Sequence, residues 1–186
     1  NILKHLICIN PKNEYSYYRL GLLYKEIREY TLSIICFKNA IKLSNSPTID
    51  YKLQLARLLV IEKRYHEALE IYNNIIILDG TIVYARVCSG KLLCILGRYN
   101  DSITCFQDIL KTDGTNVEAL CGLGTSLATK CVNETEKSLI INDLKNAQRC
   151  FHKVLSQGTK ACADVILQAT KGIDRVNKMI LKYSKP

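Results

Sequence analysis

The chain reads REYTLSIICFKNAI at residues 28–41, KRYHEALEIYNNII at 63–76, GRYNDSITCFQDIL at 97–110 and LKNAQRCFHKVL at 144–155. Tyr30, Tyr65 and Tyr99 stand third in the first three phrases, and a large aromatic follows seven residues later at Phe37, Tyr72 and Phe106. The phrases recur at 35 and 34 residues. A period of that size marks stacked supersecondary units that share one continuous core. Such arrays present binding surfaces more often than catalytic pockets.

Upstream of the first phrase, Tyr17, Leu20, Gly21 and Tyr24 fall at i, i+3, i+4 and i+7, which predicts one stripe of a helix. Ser33, Phe37 and Ala40 make a second stripe on a following helix. The residues between them, 25–30, are mostly polar and predict a short turn, so each unit is expected to be two antiparallel helices. Gly21 is expected where a close neighbour leaves no room for a side chain. Pro47, after Asn45 and Ser46, closes the unit, because proline lacks a backbone donor and disfavours helix in the residue before it.

This pattern resembles the tetratricopeptide repeat family: a large aromatic, Leu, Gly or Ala and Tyr on the first helix, then small, aromatic, small on the second. The first repeat, 14–48, carries Tyr17, Leu20, Gly21, Tyr24, Ser33, Phe37 and Ala40. The second, 49–82, carries Leu55, Ala56, Ala68 and Tyr72, with Lys52 at the large position. The third, 83–116, has Gly90, Leu93, Ser102 and Phe106, and departs at Arg86 and Ser89. The fourth, 117–161, has Leu120, Leu123, Gly124, Leu127, Ala147 and Phe151. Residues 2–11 resemble the end of a preceding repeat, and residues 162–183 read as a capping helix. The resemblance implies an all-α fold, an α-solenoid of antiparallel helix pairs wound into a right-handed superhelix. The opening at Asn1 without a Met leads us to expect a piece of a longer protein.

The fourth repeat is longer by eleven residues, counted between its two helical signatures. Residues 128–132 are expected to lengthen the turn, with Asn133 as helix cap and Glu136 completing a capping box. Ile140, Leu144, Ala147, Phe151 and Val154 then step by 4, 3, 4 and 3, so the second helix grows backward. A docking protrusion and tolerated surface drift both fit an insertion here. The final helix puts Val165, Ala169, Ile173, Val176 and Ile180 on one face and Lys171, Arg175, Lys178 and Lys182 on the other. An end helix of that kind covers the exposed core of the last repeat.

First helices line the concave face in the family, and the resemblance places the partner groove there. Tyr15, Tyr18, Leu22 and Lys25 take these positions in the first repeat, and Asp50, Leu53, Arg57 and Val60 in the second. Tyr84, Val87, Lys91 and Cys94 follow in the third, then Glu118, Cys121 and Thr125 in the fourth. The groove is mostly apolar with isolated cations, suited to a partner peptide or helix anchored by apolar side chains. A packing role for several of these residues is the competing reading. The family's chaperone-tail clamp is not matched, because Tyr18 and Leu22 stand at its Lys and Asn positions. The Asn ladder of other members is missing too, since Arg19, Gln54, Ser89 and Leu123 precede the Gly or Ala.

Net charge is +9. Residues 137–186 hold ten Lys or Arg against three Asp, while the other 136 residues hold sixteen basic against fourteen acidic side chains. The basic end makes a nucleic-acid-associated adaptor the second functional class. Specific reading of bases wants aromatics among the cations, and this end offers only Phe151 and Tyr183. Nine cysteines without a CxxC pair, with His5, His66 and His152 scattered, give no zinc-ligand spacing. Cys36, Cys105 and Cys150 each precede the recurring aromatic and read as small packing residues. An odd number of unpaired cysteines favours a reducing, cytoplasmic setting, with the nucleus as the other option. The apolar runs at 58–61 and 75–78 are too short to span a bilayer. Gly122-Leu123-Gly124 lies inside a helical pattern with no preceding strand or following Lys, so it is not a phosphate loop. We therefore expect a non-catalytic protein-interaction scaffold with no cofactor, no metal, no small-molecule substrate and no membrane partner.

Overall fold

The structure, a computed structural model, describes residues 10–46, 48–132, 134–158 and 161–184. Residues 2–9 of the preceding-repeat remnant expected at 2–11, the expected stop at Pro47 and the expected cap at Asn133 lie outside these residues. Among the described residues every regular element is an α-helix: α1 Glu14–Glu26, α2 Tyr30–Leu43, α3 Ile49–Ile61, α4 Tyr65–Leu78, α5 Val83–Ile95, α6 Tyr99–Thr112, α7 Val117–Lys130, α8 Lys137–Ser156 and α9 Ala163–Tyr183. Two compact units form, one ending at Ala85 and one starting at Arg86, so the division falls inside α5.

In the first unit α1 packs on α2, α2 on α3, and α3 on α4. Asn13 caps α1, its side chain accepting from the Ser16 amide at 3.1 Å. The turn into α2 is a left-handed C-cap: Arg28 has φ 63°, and the Glu29 amide donates back to the Tyr24 carbonyl at 2.9 Å. Lys63, at φ 59°, repeats this at the end of α3, with the Arg64 amide on the Leu59 carbonyl at 2.8 Å. Short turns of this type fold each helix pair back antiparallel.

The repeated phrase is explained by its aromatic. The Phe37 ring is fully buried and presses on Gly21 of α1, where a Cβ would stand 2.8 Å from the ring. Ser33 fixes the register by donating to the Gly21 carbonyl at 2.6 Å. In the second repeat Ala56 and Tyr72 take these places, both buried.

In the second unit α6 packs on α7, α7 on α8, and α9 on both α8 and α7. The αL turn recurs with glycine, Gly97 at φ 77°. Ser102 repeats the bond of Ser33, donating to the Gly90 carbonyl at 2.7 Å, and lies 2.8 Å from the Ser126 hydroxyl, to which it is hydrogen-bonded. Phe106 is clamped: a Cβ on Gly90 would meet its ring at 2.8 Å, and one on Gly122 at 2.3 Å. Phe151 is clamped likewise between Gly124 and Gly172, at 2.8 and 2.6 Å. Burial of each ring contributes roughly 2–3 kcal/mol.

The long fourth repeat differs from the expected layout. α7 does not end near residue 128 but runs to Lys130, with Cys131 donating to the Leu127 carbonyl at 3.2 Å. α8 starts at Lys137 with Glu136 at its N-cap, three residues beyond the cap position expected at Asn133, and without a side-chain capping bond. The Leu127 stripe keeps α7 buried through Ala128 and Cys131, which is why the helix continues. The added N-terminal turn of α8 is packed: Ile140 and Leu144 are buried, and Asp143 pairs with Lys130 of α7 at 3.2 Å.

The links into α5 and α7 share the phrase Asp-Gly-Thr. Asp79 accepts from the Thr81 amide at 2.9 Å, and Asp113 from the Thr115 amide at 3.0 Å. These bonds, with the Thr81 hydroxyl contributing most, hold the Asp79 carboxyl below its ordinary range.

Candidate functional site

The first unit carries one face built from α1, α3 and the start of α5. Tyr15 is exposed. Tyr18 stacks on Tyr51 with ring centroids 4.4 Å apart and tilts against Phe37 at 5.7 Å. Burial, then the nearby Glu14 carboxylate, pushes the Tyr51 hydroxyl above its ordinary pKa. Lys25 donates to Gln54 at 2.8 Å. Arg57 Nε donates to the Tyr84 hydroxyl at 3.1 Å while its guanidinium lies 4.8 Å from the centre of that ring. Tyr84 meets Tyr72 edge-on at 6.4 Å. Leu22 and Leu53 are half-buried and Asp50 is exposed. Tyr18, Tyr51 and Tyr84 and the cations Lys25 and Arg57 are thus each in contact with a neighbouring side chain, and groups ordered in advance lower the ordering cost of an association. Tyr51 was missed by offset counting, although its place beside Asp50 at the start of a helix was a visible signal.

The second unit carries a cleft of about 260 Å³ between α5, α7 and α9. Phe106 and Gly122, both buried, lie beneath it, and its apolar lining is Cys94 and Ile95 with the nearly covered Cys121 and Val165. Lys91, Glu118, Thr125 and Gln168 supply polar groups around it. Five positions counted off the repeat (Lys91, Cys94, Glu118, Cys121 and Thr125) are brought together here. Val165 of α9 was read only as a cap residue, and Gln168 was not singled out. The sequence reading of Val87 is corrected: it is 1% exposed and joins the buried cluster around Phe106, Ile109 and Ala119, so no partner can touch it.

Cys121 is 4% exposed and lies 3.7 Å from the Gln168 side chain. Burial pushes its thiol up, against the opposing pull of Lys91 and a bond from Thr125. Cys131 is pushed up to about 11, again chiefly by burial. Thiols held neutral in this way act as small apolar side chains rather than nucleophiles. Among the described residues no three of His, Cys, Asp and Glu stand close enough to share a metal ion. No described helix is long and apolar enough to cross a membrane. Lys171, Arg175, Lys178 and Lys182 are all exposed on α9, and Lys182 lies 5.4 Å from the centre of the Tyr183 ring.

Three antiparallel helix pairs with Gly-aromatic wedges, presenting first-helix faces, define a helical-repeat protein. Residues 14–47 match the tetratricopeptide repeat family. Among solved structures the chain is similar to YrrB, described as a TPR protein with an unusual peptide-binding site: 18% identity over 91% of this chain and 80% of that one, TM-score 0.73. A tetratricopeptide repeat protein from Parabacteroides merdae ATCC 43184 matches at 18% identity over 99% of this chain and 72% of its own, TM-score 0.72. MamA matches at 17% identity over 85% of each chain, TM-score 0.69. No curated protein matches the chain in sequence. Residues 14–47 are thus a tetratricopeptide repeat, and the chain has the all-helical solenoid fold of tetratricopeptide-repeat proteins.

Proposed function

We propose that this chain is a non-catalytic protein-interaction scaffold that holds a peptide or helix of a partner against its first-helix faces. The observation that carries this reading is the cleft of the second unit, where Lys91, Cys94, Cys121 and Thr125 converge on an apolar floor. A site with apolar walls and few polar groups suits an anchoring side chain, with the polar groups setting orientation. The Tyr18, Tyr51, Arg57 and Tyr84 face offers the residue types that concentrate binding energy at interfaces. Fold likeness to a peptide-binding repeat protein agrees with this use.

The test is selection of binders from a displayed random peptide library on the whole chain. Selected peptides should lose binding to Thr125→Arg, which fills the cleft mouth, and keep it for Leu139→Ser on an exposed part of α8. A selection in which no peptide is affected by Thr125→Arg, or by Tyr18→Ala and Arg57→Ala on the other face, overturns the reading.

A further inference from the structure

The glycines that receive the two clamped rings set α7 and α9 in one register. Phe106 rests on Gly122 of α7, and Phe151 rests on Gly172 of α9. Residues at equal offsets from these glycines face the same way on their helices. One residue before each glycine lie Cys121 and Lys171, three after lie Thr125 and Arg175, and four before lie Glu118 and Gln168. Cys121, Thr125, Glu118 and Gln168 all line the cleft. The cationic row of α9 is therefore the continuation of the cleft face, and Lys171 and Arg175 replace the Cys and Thr of the previous repeat.

From this we propose, resting on the scaffold reading above, that the second unit recognises an acidic linear segment of a partner protein. An apolar side chain seats in the cleft and the carboxylates that follow it lie along α9. Lys171, Arg175, Lys178 and Lys182 are exposed, and among the described residues none of them forms an ion pair. Asp174 and Asp164 are the acidic residues of that helix, and Glu118 stands at the cleft on α7. Glu118 repels carboxylates near the anchor, so the acidic part runs over α9, away from α7. From Lys171 to Lys182 the row is roughly 16 Å long. That length matches about five residues of extended chain. The partner motif is thus one apolar anchor beside a short run of Asp or Glu.

Two features favour protein over nucleic acid. A phosphate backbone would leave the apolar cleft empty. The helix offers no platform on which bases could stack, since Tyr183, half-buried beneath Lys182, is its only aromatic.

The closing experiment compares peptides selected on the native chain with those selected on a Lys171→Glu, Arg175→Glu, Lys178→Glu variant. Native selection should enrich an apolar residue next to Asp or Glu. The triple variant should bind those peptides roughly tenfold more weakly at low salt, while circular dichroism shows an unchanged fold. Peptides blocked by Thr125→Arg but lacking acidic neighbours, or indifferent to the triple variant, overturn this inference and leave the scaffold reading standing. Absence of any peptide sensitive to Thr125→Arg overturns this inference, and it overturns the scaffold reading as well when Tyr18→Ala and Arg57→Ala are also without effect. A single-stranded oligonucleotide or an anionic phosphatidylserine vesicle that binds through the same lysines, and that acidic peptides do not displace, also overturns the inference.

Discussion

Gly122→Ala tests the clamp on which the second unit is built. A helix interior normally gains about 1 kcal/mol when Gly becomes Ala. Here the added Cβ would stand 2.3 Å from Phe106 Cζ and 2.5 Å from Cε1. Carbon atoms in contact rest at about 3.5 Å or more, so the ring must retreat by roughly 1.2 Å. Its room is limited: it is fully buried, and Gly90 on the other helix already leaves no space for a Cβ, so a retreat must displace the base of the cleft. Overpacking of this kind costs about 1–3 kcal/mol. The clash offsets or outweighs the propensity gain, and net destabilisation of up to about 2 kcal/mol is expected. Urea unfolding followed by circular dichroism measures it. In a Phe106→Leu background the same Gly122→Ala change should become neutral or stabilising, giving a coupling of about 1–2 kcal/mol in a double-mutant cycle. If Gly122→Ala stabilises the native chain, or costs the same in both backgrounds, the ring does not set this register and the argument is wrong.

Arg28→Gly and Lys63→Gly should each stabilise the first unit by about 0.5–1 kcal/mol in urea unfolding, because each replaces a side chain held at positive φ. Gly97→Ala, at the equivalent turn of the second unit, should cost a similar amount. The Asp79 carboxyl is depressed when folded, so its contribution is present above the unfolded value of 3.8 and is lost as pH falls through the folded value. Asp79→Asn should therefore flatten the acid limb of the stability profile measured by thermal melts. Alkylation with iodoacetamide at mildly alkaline pH, read by mass spectrometry, should modify the exposed Cys162 well before Cys121 and Cys131, whose thiols are buried and pushed up.

Local patterns carried the helices because each depends on residues close in the chain. Gly21, Ser33 and Phe37 were legible since a ring wedged on a glycine leaves a fixed spacing. The break expected near Ala128 failed for a related reason: the apolar stripe through Leu127 continues to Cys131 and outranks the longer interval to Ala147. Offset counting found Lys91, Glu118, Cys121 and Thr125 together, but it could not see that Val87 is covered, since cover depends on the neighbouring helices. It also split α9 into an inner apolar and an outer basic face. Burial follows that split, with Val165, Ala169 and Val176 buried and the four cations exposed. The proposed continuation of the cleft face to Lys171 and Arg175 rests on the Gly122 and Gly172 contacts, which join residues distant in the chain. The twin Asp-Gly-Thr links were plain in the sequence and passed unread.

Gly172 gives the clamp a consequence for binding. α9 rests on Phe151 through that glycine, and the same helix forms a wall of the cleft through Val165 and Gln168. One helix thus seals the core and shapes the proposed recognition surface. Any peeling of α9 from the stack would uncover a phenylalanine and dismantle the cleft in a single event. A segment bound there must shift that opening equilibrium by mass action. Occupancy should therefore appear as slower amide exchange around Phe151, on residues the ligand never touches.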